Sequence, residues 1–265
     1  MPRSRHGGRH ELGQNDLHDP RTIRAIVDLV RPTSGPIVEI GAGRGAVTEP
    51  LSRLGRPLTA VELDEHRVAA LRRTLPTVDV VHADATRWRL PRATRVVVGN
   101  LPFHVTTPLL RQLLVAPAWQ HAVLLLQWEV ARKRAGVGGS TMLTAQVAPW
   151  FEARLHARVP ASSFRPRPSV DGGLLGLTRR RHPLVGPRDR RAYEAFVRDV
   201  FTGRGHGVPE VVGRASDTSR ALVQRTCRDL GIRRDALPRD LTPEQWAGLW
   251  SVSRSSRSGP GTSDA

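Results

Sequence analysis

The chain contains one cysteine, Cys227, which excludes an intramolecular disulfide; a lone thiol without a secretory signal fits a reducing cytoplasm. Lysine is equally scarce. Lys133 is the only one, so arginine carries almost all of the positive charge. No apolar run approaches membrane-spanning length, and the basic, glycine-rich stretch Met1–His10 lacks the apolar segment of a signal peptide, so no membrane contact is expected. No internal repeat is visible. What remains is 265 residues, enough to bury a core without crosslinks or metal and sized for one α/β domain with a small appendage.

The formal net charge is +17 and the sequence pI about 11.7. A GC-rich genome accounts for arginine replacing lysine, but not for the excess of bases over acids. That excess suits a polyanion, because each neutralised phosphate releases condensed counterions. The charge is uneven. Residues 1–178 carry a net +10, whereas residues 179–240 carry +7 in a much shorter span.

Short apolar runs alternate with helix-like stretches through the first 178 residues. The strand candidates are Ile37–Ile40, Leu58–Leu63, Val78–His82, Arg95–Gly99 and Val123–Gln127, each apolar as buried parallel strands are. Asp19-Pro20 reads as an N-cap with proline in the first turn, opening a helix to about Val30. Ala46–Leu54, Glu65–Leu75 and Pro108–Leu114 complete the alternation of a doubly wound, mostly parallel sheet. Phe151–Val159 and Gly172–Thr178 leave no room for a crossover helix, so an antiparallel end is expected. Beyond Arg179 the pattern is helical: Asp189–Phe201, Ser219–Leu230 and Pro243–Trp250, the last opened by a Thr242/Gln245 capping box. The predicted organisation is an α/β domain at 1–179, a small, more basic helical domain at 180–250, and a disordered Ser/Gly-rich tail at 251–265.

Glu39-Ile40-Gly41-Ala42-Gly43-Arg44-Gly45 runs from a strand into a helix, with Glu62 ending the next strand at a spacing suited to ribose hydroxyls. Gly41-x-Gly43-x-x-Ala46 also fits a dinucleotide fingerprint, so a nicotinamide enzyme competes, as does a plain tight turn. Two acids tilt the reading toward S-adenosylmethionine. Glu39 lies inside the first strand and serves either loop amides or a ligand. Asp84 closes the third strand, where it is either a turn residue or an acceptor for an adenine amino group.

Asn100-Leu101-Pro102-Phe103 follows the fourth strand. The proline biases Leu101 toward extended backbone, which can aim the Asn100 amide oxygen and the Leu101 carbonyl at one point. Two acceptors there would hold both protons of an amine and turn its lone pair toward a methyl donor, with Phe103 stacked on the base. A strand-end turn over a buried phenylalanine is the alternative. Arg165 and Arg167 flank Phe164, and Arg132-Lys133-Arg134 follow the fifth-strand region. Arginines around an aromatic suit unpaired RNA, although scattered arginines are more often a solvated face. The histidines have no metal-ligand spacing.

Taken in order, Gly13-Gln14-Asn15, the Glu39–Gly45 loop, Val61-Glu62-Leu63-Asp64, Asp84-Ala85, Asn100-Leu101-Pro102-Phe103, Gln127-Trp128-Glu129-Val130 and Phe164-Arg165-Pro166-Arg167-Pro168-Ser169-Val170-Asp171 resemble the rRNA adenine N6-methyltransferases, most closely the Erm type. The resemblance covers nearly the whole chain. It implies a Rossmann-like S-adenosylmethionine-dependent methyltransferase domain with a helical C-terminal domain, acting as a monomer on 23S rRNA, free or in an assembly intermediate. It also implies resistance to macrolide, lincosamide and streptogramin B antibiotics. Asn15, Leu17, Gly41, Glu62, Asp84 and Asn100 become cofactor contacts and Asn100, Leu101, Pro102 and Phe103 the catalytic segment. Phe164 becomes a second wall of the base pocket, with Arg134, Arg165 and Arg167 on the RNA side and no metal. Two positions depart from the pattern: Asp16 stands where an aromatic is usual, and Phe103 replaces the commoner tyrosine. The small-subunit rRNA dimethyltransferase and a non-catalytic RNA-binding assembly factor are the competing readings.

Overall fold

A computed structural model of the protein describes residues 15–102, 105–216 and 218–257, excepting the side chains of 255–257. Phe103 of the expected catalytic segment, Gly13-Gln14 and the chain end from residue 258 lie outside the described residues.

The elements in chain order are β1 (Asp16–Leu17), α1 (Pro20–Val30), β2 (Ile37–Ile40), α2 (Thr48–Ser52), β3 (Leu58–Glu62), α3 (Glu65–Thr74), β4 (Asp79–His82), β5 (Val96–Asn100), α4 (Thr106–Val115), β6 (His121–Gln127), α5 (Trp128–Arg134), α6 (Met142–Val147), β7 (Phe151–Val159), β8 (Phe164–Arg165), β9 (Gly172–Arg179), α7 (Arg190–Thr202), α8 (Val208–Ser216), α9 (Arg220–Asp229) and α10 (Pro243–Arg257). Local signals explain many of these boundaries. Asp19 caps α1 by accepting the Arg21 and Thr22 amides, with Pro20 in the first turn. The Thr242 hydroxyl accepts from the Gln245 amide at 3.2 Å while the Gln245 side chain accepts from the Thr242 amide at 2.9 Å, the reciprocal pair expected there.

Seven strands form one sheet in the order β4-β3-β2-β5-β6-β9-β7. The five from β4 to β6 are parallel, and β9 joins β6 antiparallel with His121 opposite Thr178. Outside β9, the Trp150 carbonyl accepts the Arg180 amide and His156 lies over Gly176, so β7 also runs antiparallel to its neighbour. This is the mostly parallel sheet with an antiparallel end that the strand–helix alternation implies. A two-stranded ladder, β1 against β8, stands apart from it. Valine, leucine and isoleucine from β2, β3, β5 and β6 pack with α1 and α3 into the core, with Val96 and Val30 fully buried.

The order in which successive strands are laid down reverses at β2. β3 and β4 follow on one side of it, β5 and β6 on the other, so the crevice between the carboxyl ends of β2 and β5 is a topological switch point. Register brings Ile40 beside Val61 and Gly99, and Glu62 beside His82. Gly41, Glu62, Asp84 and Asn100 therefore emerge at the same edge.

The chain divides into two compact units. Among the described residues, the first comprises those up to 132 and 154–179, and the second comprises 133–153 and those from 180 on. A single boundary near residue 180 therefore assigns 133–153 to the wrong unit. Those residues join the helical part because Tyr193 of α7, itself buried, donates to the Ala145 carbonyl at 3.0 Å and meets the Trp150 ring edge-on at 5.5 Å. Phe196, Trp246 and Trp250 extend that aromatic core. The expected disorder from Ser251 is corrected for residues 251–257. α10 continues through Arg257, and Ser253, inside that stretch, is buried and donates to the Leu249 carbonyl at 2.8 Å.

Candidate functional site

The switch point opens into a cleft at the carboxyl ends of the parallel strands, the place where ligands of open α/β sheets bind. Its walls include Asn15, Asp16, Gly41, Gly43, Glu62, Leu63, Asp84, Asn100, Leu101, Pro102 and Phe164. Among the expected cofactor and catalytic positions, Leu17 stands apart. Its side chain is buried in the core, while its backbone pairs with Phe164.

The glycine loop turns through left-handed backbone, with φ of 74° at Gly41 and 58° at Gly43. Its anchor is Glu62. One carboxylate oxygen, Oε2, accepts the Gly43 amide at 2.7 Å, and Oε1 accepts the Leu63 and Asp64 amides at 2.9 Å each. A carboxylate offers about four acceptor sites. Three are used, so Oε2 retains room for one hydroxyl facing the cleft.

Glu39 holds no loop amide and is absent from the cleft wall. It is 3% exposed, and its Oε2 has no hydrogen-bond partner among the described residues. Burial pushes its carboxyl up to about 8, with the Thr48 hydroxyl pulling the other way and the Glu62 charge adding to the rise. At neutral pH it is a protonated acid beneath the loop, and the amide expected of it is held by Glu62 instead. Asp84 serves as a turn residue at the cleft. It lines the cleft, and its Oδ1 closes a turn by accepting the Thr86 amide at 2.8 Å and hydroxyl at 2.6 Å.

Asn100 ends β5. Its Nδ2 donates to the Asn15 carbonyl at 2.8 Å. Only the NH₂ group can meet a carbonyl, so this contact settles which way the amide faces and leaves Oδ1 pointing away. Neither that oxygen nor the Leu101 carbonyl accepts a hydrogen bond from the described residues. The Leu101 side chain is 1% exposed and its amide donates to the Leu125 carbonyl at 3.0 Å, which holds the segment against β6. The Pro102 carbonyl is engaged, accepting the Val105 amide at 3.1 Å and the Thr106 hydroxyl at 3.0 Å. Two oxygens that no described residue engages thus sit on a braced backbone beside the cleft.

The chain is tied down at Asp16 by charge rather than by an aromatic ring. Arg67 of α3 grips its carboxylate with both terminal nitrogens, at 2.8 and 3.1 Å, and Arg44 of the glycine loop adds a contact at 3.1 Å. Sequence reasoning missed this clamp, since Arg67 lies 51 residues away. Phe164 is 3% exposed and lines the cleft, whereas Arg165 and Arg167 beside it are exposed. Arg134 belongs to the second unit, where it donates to the Thr141 hydroxyl at 3.2 Å. Among the described residues no group of His, Cys, Asp or Glu could hold a metal ion, and no helix is long and apolar enough to cross a membrane.

A family model described as ribosomal RNA adenine dimethylase matches residues 5–251. The chain is 54% identical over 209 residues to an rRNA adenine N-6-methyltransferase of Corynebacterium diphtheriae, covering 78% of this chain and 83% of that protein. It is 47% identical over 255 residues to the mycinamicin-resistance protein MyrB of Micromonospora griseorubida, covering 94% and 80%. Among solved structures, that of the 23S rRNA methyltransferase ErmE matches with a TM-score of 0.83 at 31% identity, over 91% of this chain and 100% of that one.

Proposed function

The chain belongs to the ribosomal RNA adenine dimethylases, and from that premise we propose that it methylates the N6 amine of an adenine in 23S rRNA and so confers resistance to macrolides, lincosamides and streptogramin B. It is an S-adenosylmethionine-dependent enzyme, and ribosomal RNA is its substrate. The resistance reading draws on the relative named for mycinamicin resistance and on the 23S rRNA methyltransferase whose fold it shares. We infer that it acts on free rRNA or an assembly intermediate, because an adenine must be extruded from its stack to reach the cleft; the same reading has it act as a monomer in the cytoplasm.

The residues present fit the cofactor. Glu62 has one acceptor site left for a ribose hydroxyl, Asp84 offers a carboxylate at the neighbouring strand end, and Gly41 brings backbone close without a side chain. When bound, S-adenosylmethionine supplies the methyl group. The protein's part is orientation. The observation that carries the reading is Asn100, locked by Asn15 so that its Oδ1 and the Leu101 carbonyl are both available to accept the two N6 protons. Held that way, the amine's lone pair is taken out of conjugation with the base and faces the methyl donor. Phe164 walls the base, and Phe103, Arg134, Arg165 and Arg167 serve the RNA.

The test pairs drug resistance with primer extension. Expression in a sensitive bacterium is expected to raise resistance to all three drug classes together, with the extension stop in 23S rRNA. A stop in small-subunit rRNA with drug sensitivity unchanged overturns this target in favour of a small-subunit dimethyltransferase. No methylation of either RNA would leave a non-catalytic assembly factor.

A further inference from the structure

One cluster outside the cleft has no part in the chemistry described so far. Arg158, near the end of the edge strand β7, is 61% exposed, yet two partners immobilise it. Its guanidinium lies over the Trp128 ring, 5.2 Å from the centroid, and its Nε donates to Asp171 Oδ2 at 2.8 Å. Asp171 is itself fixed. Its Oδ1 accepts the Ala161 amide at 2.9 Å, and its main-chain carbonyl accepts the Trp128 amide at 2.9 Å. The Asp171 carboxyl is held below the ordinary range, first by the Ala161 amide, then by Arg158, with the Arg167 charge also contributing. Arg167 is therefore close to the same corner.

An exposed ion pair adds little to stability, and an arginine free to move in water keeps its side-chain entropy. Here that freedom is already given up, while Nη1 and Nη2 make no hydrogen bond with the described residues. A planar fork of donors, stacked on an aromatic ring and anchored through Nε, is preorganised for bidentate contact with a phosphate. The position suits such a role. The Asp171–Ala161 bond closes the neck of the loop that brings Phe164 to the cleft wall. We infer that Arg158, backed by Trp128 and anchored by Asp171, binds the backbone phosphate of an unpaired rRNA nucleotide flanking the target adenine. The inference rests on the reading that rRNA adenine is the substrate.

The experiment measures methyl transfer from labelled S-adenosylmethionine to in-vitro-transcribed 23S rRNA by the full chain, at several salt concentrations. Cofactor affinity and thermal midpoint are recorded alongside. R158Q is expected to raise KM for RNA about tenfold, the worth of a charged hydrogen bond, with kcat and cofactor affinity moving less than twofold. The slope of log affinity against log salt should fall by about 0.7, one single-strand phosphate contact. R158K should restore that slope while leaving KM raised, because an ammonium neither stacks on Trp128 nor bonds bidentately. A lower thermal midpoint for R158Q with KM and salt slope unchanged would make Arg158 a loop staple and overturn the inference. If the wild-type chain methylates the RNA and R158Q does so with the parent's KM and slope, this inference alone fails. If the wild type transfers no methyl to adenine, the functional reading fails and takes this inference with it.

Discussion

Asn100→Asp changes one NH₂ group to an oxygen, and the structure makes that small change costly. The Asn100 Nδ2 is 2.8 Å from the Asn15 carbonyl oxygen. An aspartate there presents a charged oxygen to a carbonyl, so the bond is lost and two acceptors face each other. Losing a half-buried hydrogen bond costs about 1 kcal/mol, and leaving its acceptor facing an unmatched group adds roughly 1–3 kcal/mol. The segment escapes by rotating the side chain, which removes Oδ1 from the amine. About 2–4 kcal/mol of lost orientation corresponds to a drop in turnover of roughly 30- to 1000-fold. Asn100→Ala, which removes the acceptor outright, should fall about as far. The two variants part company with pH. A protonated aspartic acid again donates to the Asn15 carbonyl, so N100D activity relative to wild type should rise as pH falls, whereas the N100A ratio stays flat. Single-turnover methylation of 23S rRNA between pH 5.5 and 8.5 reads this directly. Near-wild-type turnover of N100D at pH 8 would show that the Asn15 contact does not orient the amide.

Three further outcomes follow from the same site. Glu62→Gln leaves one oxygen for three backbone amides, so it should cost about 1–3 kcal/mol in stability and about tenfold in S-adenosylmethionine affinity, read by thermal unfolding and calorimetry; unchanged values in both would remove Glu62 as the loop's anchor. Glu39 has its carboxyl raised to about 8 in the folded state from an ordinary 4.5, so the folded chain holds this proton where the unfolded chain has released it. Its contribution is fully present below pH 4.5 and lost as pH rises toward 8, at up to ~1.4 kcal/mol per pH unit; wild-type stability should decline through that window relative to Glu39→Gln, and parallel curves would contradict a buried neutral acid. Asp16→Asn keeps the shape but not the charge gripped by Arg67, and should weaken cofactor binding by about 1 kcal/mol, roughly fivefold, because the clamp ties the cleft wall at Asp16 to α3; equal affinity for both proteins would reduce the clamp to surface decoration.

The sequence by itself determined the layered α/β fold and the strand ends that line the cleft, since both rest on local pattern. Buried parallel strands must be short apolar runs, and a residue that ends such a strand must lie at the ligand-binding edge. Hence Gly41, Glu62, Asp84 and Asn100 were legible, as were the caps at Asp19 and Thr242. The expected helices Ala46–Leu54 and Pro108–Leu114 were found as Thr48–Ser52 and Thr106–Val115, because helix ends depend on backbone partners that periodicity does not show. α5 and α6, of seven and six residues, were too short for periodicity to mark, and α8 was missed although Val208, Val211 and Val212 share one buried face. Only the tertiary structure decided what depends on residues far apart in the chain. It showed which atom of Asn100 is engaged, through Asn15 85 residues away. It showed that Glu62 rather than Glu39 holds the loop, that Arg67 answers the charge of Asp16, and that residues 133–153 belong with the helices. Each follows from strand register and side-chain direction, which bring particular atoms within hydrogen-bond reach and leave no trace in local composition.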